Sequence, residues 1–225
     1  MLRNTLATLP RLALFLLALI PVLIGSGILM SMQQGSLNTF TEPADLIRRE
    51  SYPFALTAHI LGGSTMLLLG FAQFSSRLRR AFPAWHRWAG RGLILLGVVF
   101  ALAGLRMNFS DHAQADSALY DGAQTLAAVL FLATLWLGFT AIRRGDVARH
   151  RVWMLRAYAL TLGAATQTIL LLPVFLLFGK VEGLVLDLAF ISGWLVNLAV
   201  AEALIRRRQF APRWNGSANT APNRS

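Results

Sequence analysis

Apolar residues in this chain come in runs too long for the core of a water-soluble domain, and short clusters of arginine separate them. Six stretches, about Leu12–Met32, Pro53–Phe74, Ala89–Met107, Thr125–Ile142, Trp153–Phe178 and Leu184–Ile205, approach or exceed the roughly 20 residues a helix needs to cross about 30 Å of hydrocarbon. They lack the two-residue alternation of barrel strands, and hydrocarbon leaves no backbone group unpaired without cost. The pattern therefore predicts an all-α, polytopic membrane protein with six transmembrane helices. The segment Gln33–Ser51, with Gly35, Pro43 and several acids, reads as a short excursion between spans one and two. Residues 1–208 read as one six-span domain. The stretch 209–225, with Pro212, Gly216, Pro222 and several asparagines, has the composition of a disordered tail.

Two of the arginine clusters share a phrase. Arg79-Arg80-x5-His86-Arg87 and Arg143-Arg144-x5-His150-Arg151 have identical internal spacing at an offset of 64 residues, and each lies between two apolar stretches. Each reads as the basic turn of a membrane hairpin. Spans two and three (about 53–107) and spans four and five (about 119–178) then form tandem hairpins of the same orientation, giving a four-helix core flanked by spans one and six.

Composition adds direction. The chain is 56% hydrophobic and only 14% charged. Of its 21 basic residues, all but Arg48, Arg49, Arg106 and Lys180 fall on the side of the termini and the two basic turns, whereas most acids fall on the other side. Basic residues in short loops stay cytoplasmic, so both termini are expected in the cytoplasm and the protein in a bacterial inner membrane. The same placement accounts for the net charge of +11 without nucleic acid as a partner: these arginines fix topology and attract anionic lipid headgroups. Leu12–Met32 exceeds a secretory h-region and no A-x-A-like site follows it, so it reads as a retained span. The absence of cysteine excludes disulfides, thiol catalysis and iron–sulfur clusters.

The four histidines sort into two depths. His86 and His150 stand at the inner ends of spans three and five. His59 lies inside span two, some 22 Å from its inner end at about 1.5 Å per residue, and His112 lies in the outer loop before span four, where it reads as a solvated residue. Histidines on facing membrane helices are the usual ligands of b-type haem, so His86 and His150, with His59 as an outer ligand or proton-handling group, are candidate haem ligands. Arg79, Arg80, Arg87, Arg143, Arg144 and Arg151 are then candidate contacts for haem propionates or lipid headgroups. An ionisable residue within a span is costly to keep, which makes His59 a site candidate in its own right. Gln124, Thr166, Gln167, Thr168 and Asp187 stand at similar depth. His59 then belongs either to a polar ligand site with Gln124, Gln167 and Asp187 or to a helix-to-helix hydrogen bond with Gln167 or Asp187.

Each histidine of spans two and three also heads a stripe of glycines, His59-x3-Gly63-x6-Gly70 and His86-x3-Gly90-x6-Gly97-x6-Gly104. Such a stripe is either a seam for close helix packing or a smooth bed for a flat cofactor. Pro21 and Pro173 are candidate kinks. Glu202 is expected to pair with the neighbouring arginines, and Asn197 to bond across helices. No Ser-His-Asp order, HExxH motif or paired carboxylates occur.

Several elements together carry a family resemblance: His59 with Gly62-Gly63, Gln73-Phe74, His86-Arg87-Trp88-x-Gly90-Arg91, and His150-Arg151-x-Trp153-Met154-x-Arg156-x-Tyr158-Ala159-Leu160-Thr161. Over roughly residues 54–175 the chain resembles an uncharacterised bacterial family of integral membrane proteins, domain of unknown function 2306. Where that family often has an arginine late in span five, this chain has Gln167. The resemblance implies the membrane architecture and draws attention to His59, His86 and His150, without supplying a reaction. In architecture the chain is also similar to the two-haem b561-type cytochromes, although span four has no histidine here. Three functions are consistent with these residues: a small redox protein binding haem b, a small-solute or proton-linked transporter with a polar site around His59, and a non-catalytic assembly or lipid-interacting protein.

Overall fold

The computed structural model describes residues 2–34, 52–109, 117–179 and 183–210. These form eight helices and no strand: α1 (Leu2–Gln34), α2 (Pro53–Gln73), α3 (Ser76–Ala81), α4 (Pro83–Asn108), α5 (Ala118–Arg143), α6 (Val147–Thr161), α7 (Gly163–Phe178) and α8 (Leu184–Phe210). Six segments are long and apolar enough to cross a membrane: Leu12–Gln33, Pro53–Gln73, Pro83–Asn108, Ala118–Arg143, Val147–Phe178 and Leu184–Arg207. Most of the predicted Gln33–Ser51 excursion, His112 and the tail from residue 211 lie outside the described residues.

Two helices start earlier than their apolar runs, one through a polar cap and one through a proline in its first turn. Ser117 accepts a hydrogen bond from the Tyr120 amide and starts α5 well before Thr125, and Pro83 occupies the first turn of α4, upstream of Ala89. The repeated basic phrase folds in two ways. Arg79 and Arg80 end the short helix α3, whereas Arg143 ends α5 and the turn runs through Arg144 and Gly145, which has φ 77°. His86 and His150 thus belong to the first turns of α4 and α6 rather than to the connections. Span five is interrupted at Leu162, between α6 and α7, while helix continues through Pro21 and Pro173, the residues expected to kink it.

Four helices close a ring: α2 packs on α4, α4 on α5, α5 on α6 and α6 on α2. Between them lie Met66, Leu93, Ala101, Phe131, Leu135, Ala157 and Leu160. This is the expected four-helix core. Helix α1 lies against α2 and α7, and α8 against α6, α7 and α5. Outward faces are strongly apolar, with Leu95 70% and Leu176 73% exposed, the inverse of a soluble surface and the face that lipid covers.

The glycine stripe of α4 acts as a packing seam, and protein side chains fill it. A Cβ on Gly97 would meet Leu135 at 2.8 Å, and one on Gly104 would meet the His59 ring at 3.1 Å. Across the seam, a Cβ on Gly63 would meet the Phe100 ring at 2.9 Å. There is therefore no empty bed for a flat cofactor at these positions. Polar bonds cross the bundle too: Thr166 donates to Asn197 at 3.1 Å, as expected for Asn197, and the Tyr158 hydroxyl donates to the Leu67 carbonyl at 3.1 Å. Glu202 pairs with Arg156 of α6, with Arg206 of α8 also acting on it electrostatically; both guanidinium contacts are made, and Arg156 also covers the Trp153 ring at 4.5 Å.

Candidate functional site

At the end of the bundle where α4 finishes and α5 and α8 begin, the helices leave a cavity of about 190 Å³. Small residues make the space: Ala101 and Gly104 of α4, Ala127 and Ala128 of α5, and Ala164 of α7. Its polar lining comes from five residues, His59 (α2), Asn108 (α4), Gln124 (α5), Thr161 (α6) and Gln167 (α7). Phe100, Phe131, Phe190 and Trp194 provide aromatic walls. A mainly apolar hollow with a few convergent polar groups is the usual form of a small-ligand site.

His59 is held in one orientation. Its ring stacks on Phe100 with centroids 4.3 Å apart and planes inclined by 25°, and Nδ1 lies 3.1 Å from the Phe100 carbonyl oxygen. A carbonyl only accepts, so Nδ1 carries the proton and, in the neutral ring, Nε2 is the acceptor nitrogen. The absent side chain of Gly104 leaves room for this pose. The bond of Nδ1 to Phe100 joins α2 to α4, a helix-to-helix hydrogen bond with a different partner from the two expected.

The other polar residues are anchored as well. Asn108 Nδ2 donates to the Asp121 carbonyl and to Thr125 Oγ1, both at 3.0 Å. Gln124 Nε2 lies 2.8 Å from the Tyr120 hydroxyl, Gln167 Nε2 donates to the Phe190 carbonyl at 3.0 Å, and Thr161 donates to the Ala157 carbonyl at 3.0 Å. Asp187 is buried at the same end but does not line the cavity. Its carboxylate instead accepts the Ser117 hydroxyl, tying the start of α8 to the cap of α5. Of the four residues expected to form a polar site, the structure brings together His59, Gln124 and Gln167 and sets Asp187 outside.

His86 and His150 occupy the opposite end. From His86 to Phe100 is 14 residues, about 21 Å of helix, so they do not join His59 in one site. They are close enough to act on one another electrostatically, and Arg79 and Arg87 also act on His86. His150 Nδ1 donates to the Gly138 carbonyl at 2.8 Å, whereas His86 Nδ1 and Gln73 Nε2 are buried without hydrogen-bond partners. Arg80, Arg87, Arg143, Arg144 and Arg151 are exposed and Arg79 is half-buried. Among the described residues no group of three or more His, Asp or Glu is placed to hold a metal ion.

Sequence reasoning missed Asn108, Thr161 and the aromatic walls. Asn108 was accessible, since it stands one turn beyond Gly104 on the stripe that begins at His86. Phe100, Phe190 and Trp194 carried no signal, because aromatic residues in membrane helices face lipid as readily as each other.

Six apolar helices around a partly polar interior define a polytopic helical membrane protein. The chain belongs to the DUF2306 family of predicted membrane proteins, whose model matches residues 56–205, from span two through span six. No curated protein matches the chain, and no solved structure matches it.

Proposed function

We propose that this is an inner-membrane carrier that binds a small polar solute in the cavity beside His59 and couples its movement to protons. One observation carries the reading: His59, Gln124 and Gln167, from three helices and more than 100 residues of sequence, line the same cavity. The interruption at Leu162 supports it, because Thr161 and Gln167 flank that break, and membrane carriers commonly build their sites where helices are discontinuous. The arginine bias supports cytoplasmic termini, with the cavity in the outer half of the membrane. His59 is the one side chain of the lining that can exchange a proton by an acid–base reaction of its own. In cells given an inward proton gradient, His59→Ala is expected to reduce proton-linked solute uptake by about tenfold or more at equal protein level; unchanged uptake would remove His59 from the mechanism.

A second reading, haem b held by His86 and His150, has its own support in the placement of both histidines at the same end of the bundle and the unpartnered Nδ1 of His86. In that reading the exposed arginines of the same end serve the propionates, and in its absence they serve anionic lipid headgroups. A reduced-minus-oxidised absorption spectrum of the purified protein decides. A b-type band lost in His86→Ala establishes haem; a flat spectrum from folded protein sinks it.

A further inference from the structure

We infer that the cavity is built for a small organic cation carrying N–H donors, an alkylammonium in chemical class. The inference rests on the reading of the cavity as a solute site and names what that solute is.

The evidence is the direction of the hydrogen bonds. All five polar residues of the lining are anchored to the protein by an N–H or O–H group: His59 through Nδ1, Asn108 and Gln167 through their amide nitrogens, Thr161 through its hydroxyl, and Gln124 through Nε2 on Tyr120. Asn108 commits its amide nitrogen twice, to Asp121 and to Thr125. What remains is weighted toward acceptors: the amide oxygens of Asn108, Gln124 and Gln167 and the lone pairs of Thr161, against one N–H each on Gln124 and Gln167 and the indole N–H of Trp194. An anionic ligand would set its oxygens against these carbonyl oxygens. An ammonium group would instead satisfy several at once with charge-assisted bonds.

Two further features agree. Phe100, Phe131, Phe190 and Trp194 supply aromatic surface, which attracts a cation by its faces and accepts an alkyl chain. The acids Asp121 and Asp187 belong to the same end of the bundle, where Arg106 stacks on the Tyr52 ring at 4.3 Å. The lining has no carboxylate of its own. That favours a singly charged organic cation over a divalent metal, which is more strongly hydrated and seeks carboxylate oxygens.

The test measures thermal stabilisation of the full chain in detergent by four probes at equal ionic strength: propylammonium chloride, propanol, sodium propionate and sodium chloride. Propylammonium is expected to give a saturable rise in melting temperature that the other three do not. Gln167→Leu is expected to weaken its apparent affinity about tenfold, the loss of one charge-assisted bond. Gln124→Glu, which adds a negative charge to the lining, is expected to tighten it and so guards against a variant that merely folds poorly. An equal shift with propanol or propionate overturns the cation assignment while leaving a solute site in place. An equal shift with sodium chloride makes it an alkali-ion site and also overturns it. No shift with any probe overturns the inference, and the His59→Ala uptake result then decides the carrier reading separately.

Discussion

Phenylalanine at position 164 is expected to abolish solute binding and uptake while leaving the protein folded. Ala164 lies on the first turn of α7, just past the break at Leu162, and is an exposed residue that lines the cavity. A phenyl ring there grows into a hollow of about 190 Å³ instead of into a packed core, so it removes the ligand's space without the overpacking cost of a filled site. The contrast is Ala165, a direct neighbour with no exposure, where the same substitution is expected to destabilise the bundle itself. Uptake measured beside melting temperature separates the two. Full uptake in Ala164→Phe would mean that the solute path lies elsewhere.

Glu202→Ala is expected to cause the largest loss of stability among single charge removals. Glu202 and Arg156 join α8 to α6 through two contacts, and Trp153 covers the guanidinium. Removing the carboxylate leaves a half-buried arginine cation against apolar helices without its counter-charge. Stranding a fully buried charge costs about 3–5 kcal/mol. With Arg156 25% and Glu202 36% exposed, solvent or headgroup screening brings the expected cost to about 1–3 kcal/mol. The double variant Arg156→Met, Glu202→Leu is expected to recover most of the loss, because it removes both charges and keeps apolar volume. Additive losses in a double-mutant cycle would show that the two residues act independently.

The span count was legible in the sequence because hydrocarbon thickness fixes helix length and demands paired backbone, constraints that no tertiary detail overrides. Boundaries were less legible. The starts of α4 and α5 depend on Pro83 and on the Ser117 cap, which apolar periodicity does not register. The two His-Arg phrases show the same limit, since identical spacing produced a separate short helix in one hairpin and a glycine turn in the other. Within the candidate site, the depth of His59, Gln124 and Gln167 could be counted in helical turns, and depth alone brought them to one level. Asp187 stood at a similar level but is held by Ser117, a partner that depends on how the ends of α5 and α8 meet. The glycines of α4 suited a seam or a cofactor bed, and the structure shows Leu135 packed at Gly97 and the His59 ring at Gly104.

The central claim is that the hollow beside His59 is an open ligand site. Because the chain has no cysteine, Ala164→Cys places a single thiol on its wall. Labelling that thiol in intact membranes with an impermeant maleimide is the direct measurement, with Ala103→Cys, buried outside the cavity lining, as the control. The account predicts labelling of position 164 from the outer face, protection by propylammonium, and none at position 103. A thiol at 164 that reacts from neither face, yet reacts after denaturation, would contradict an open site.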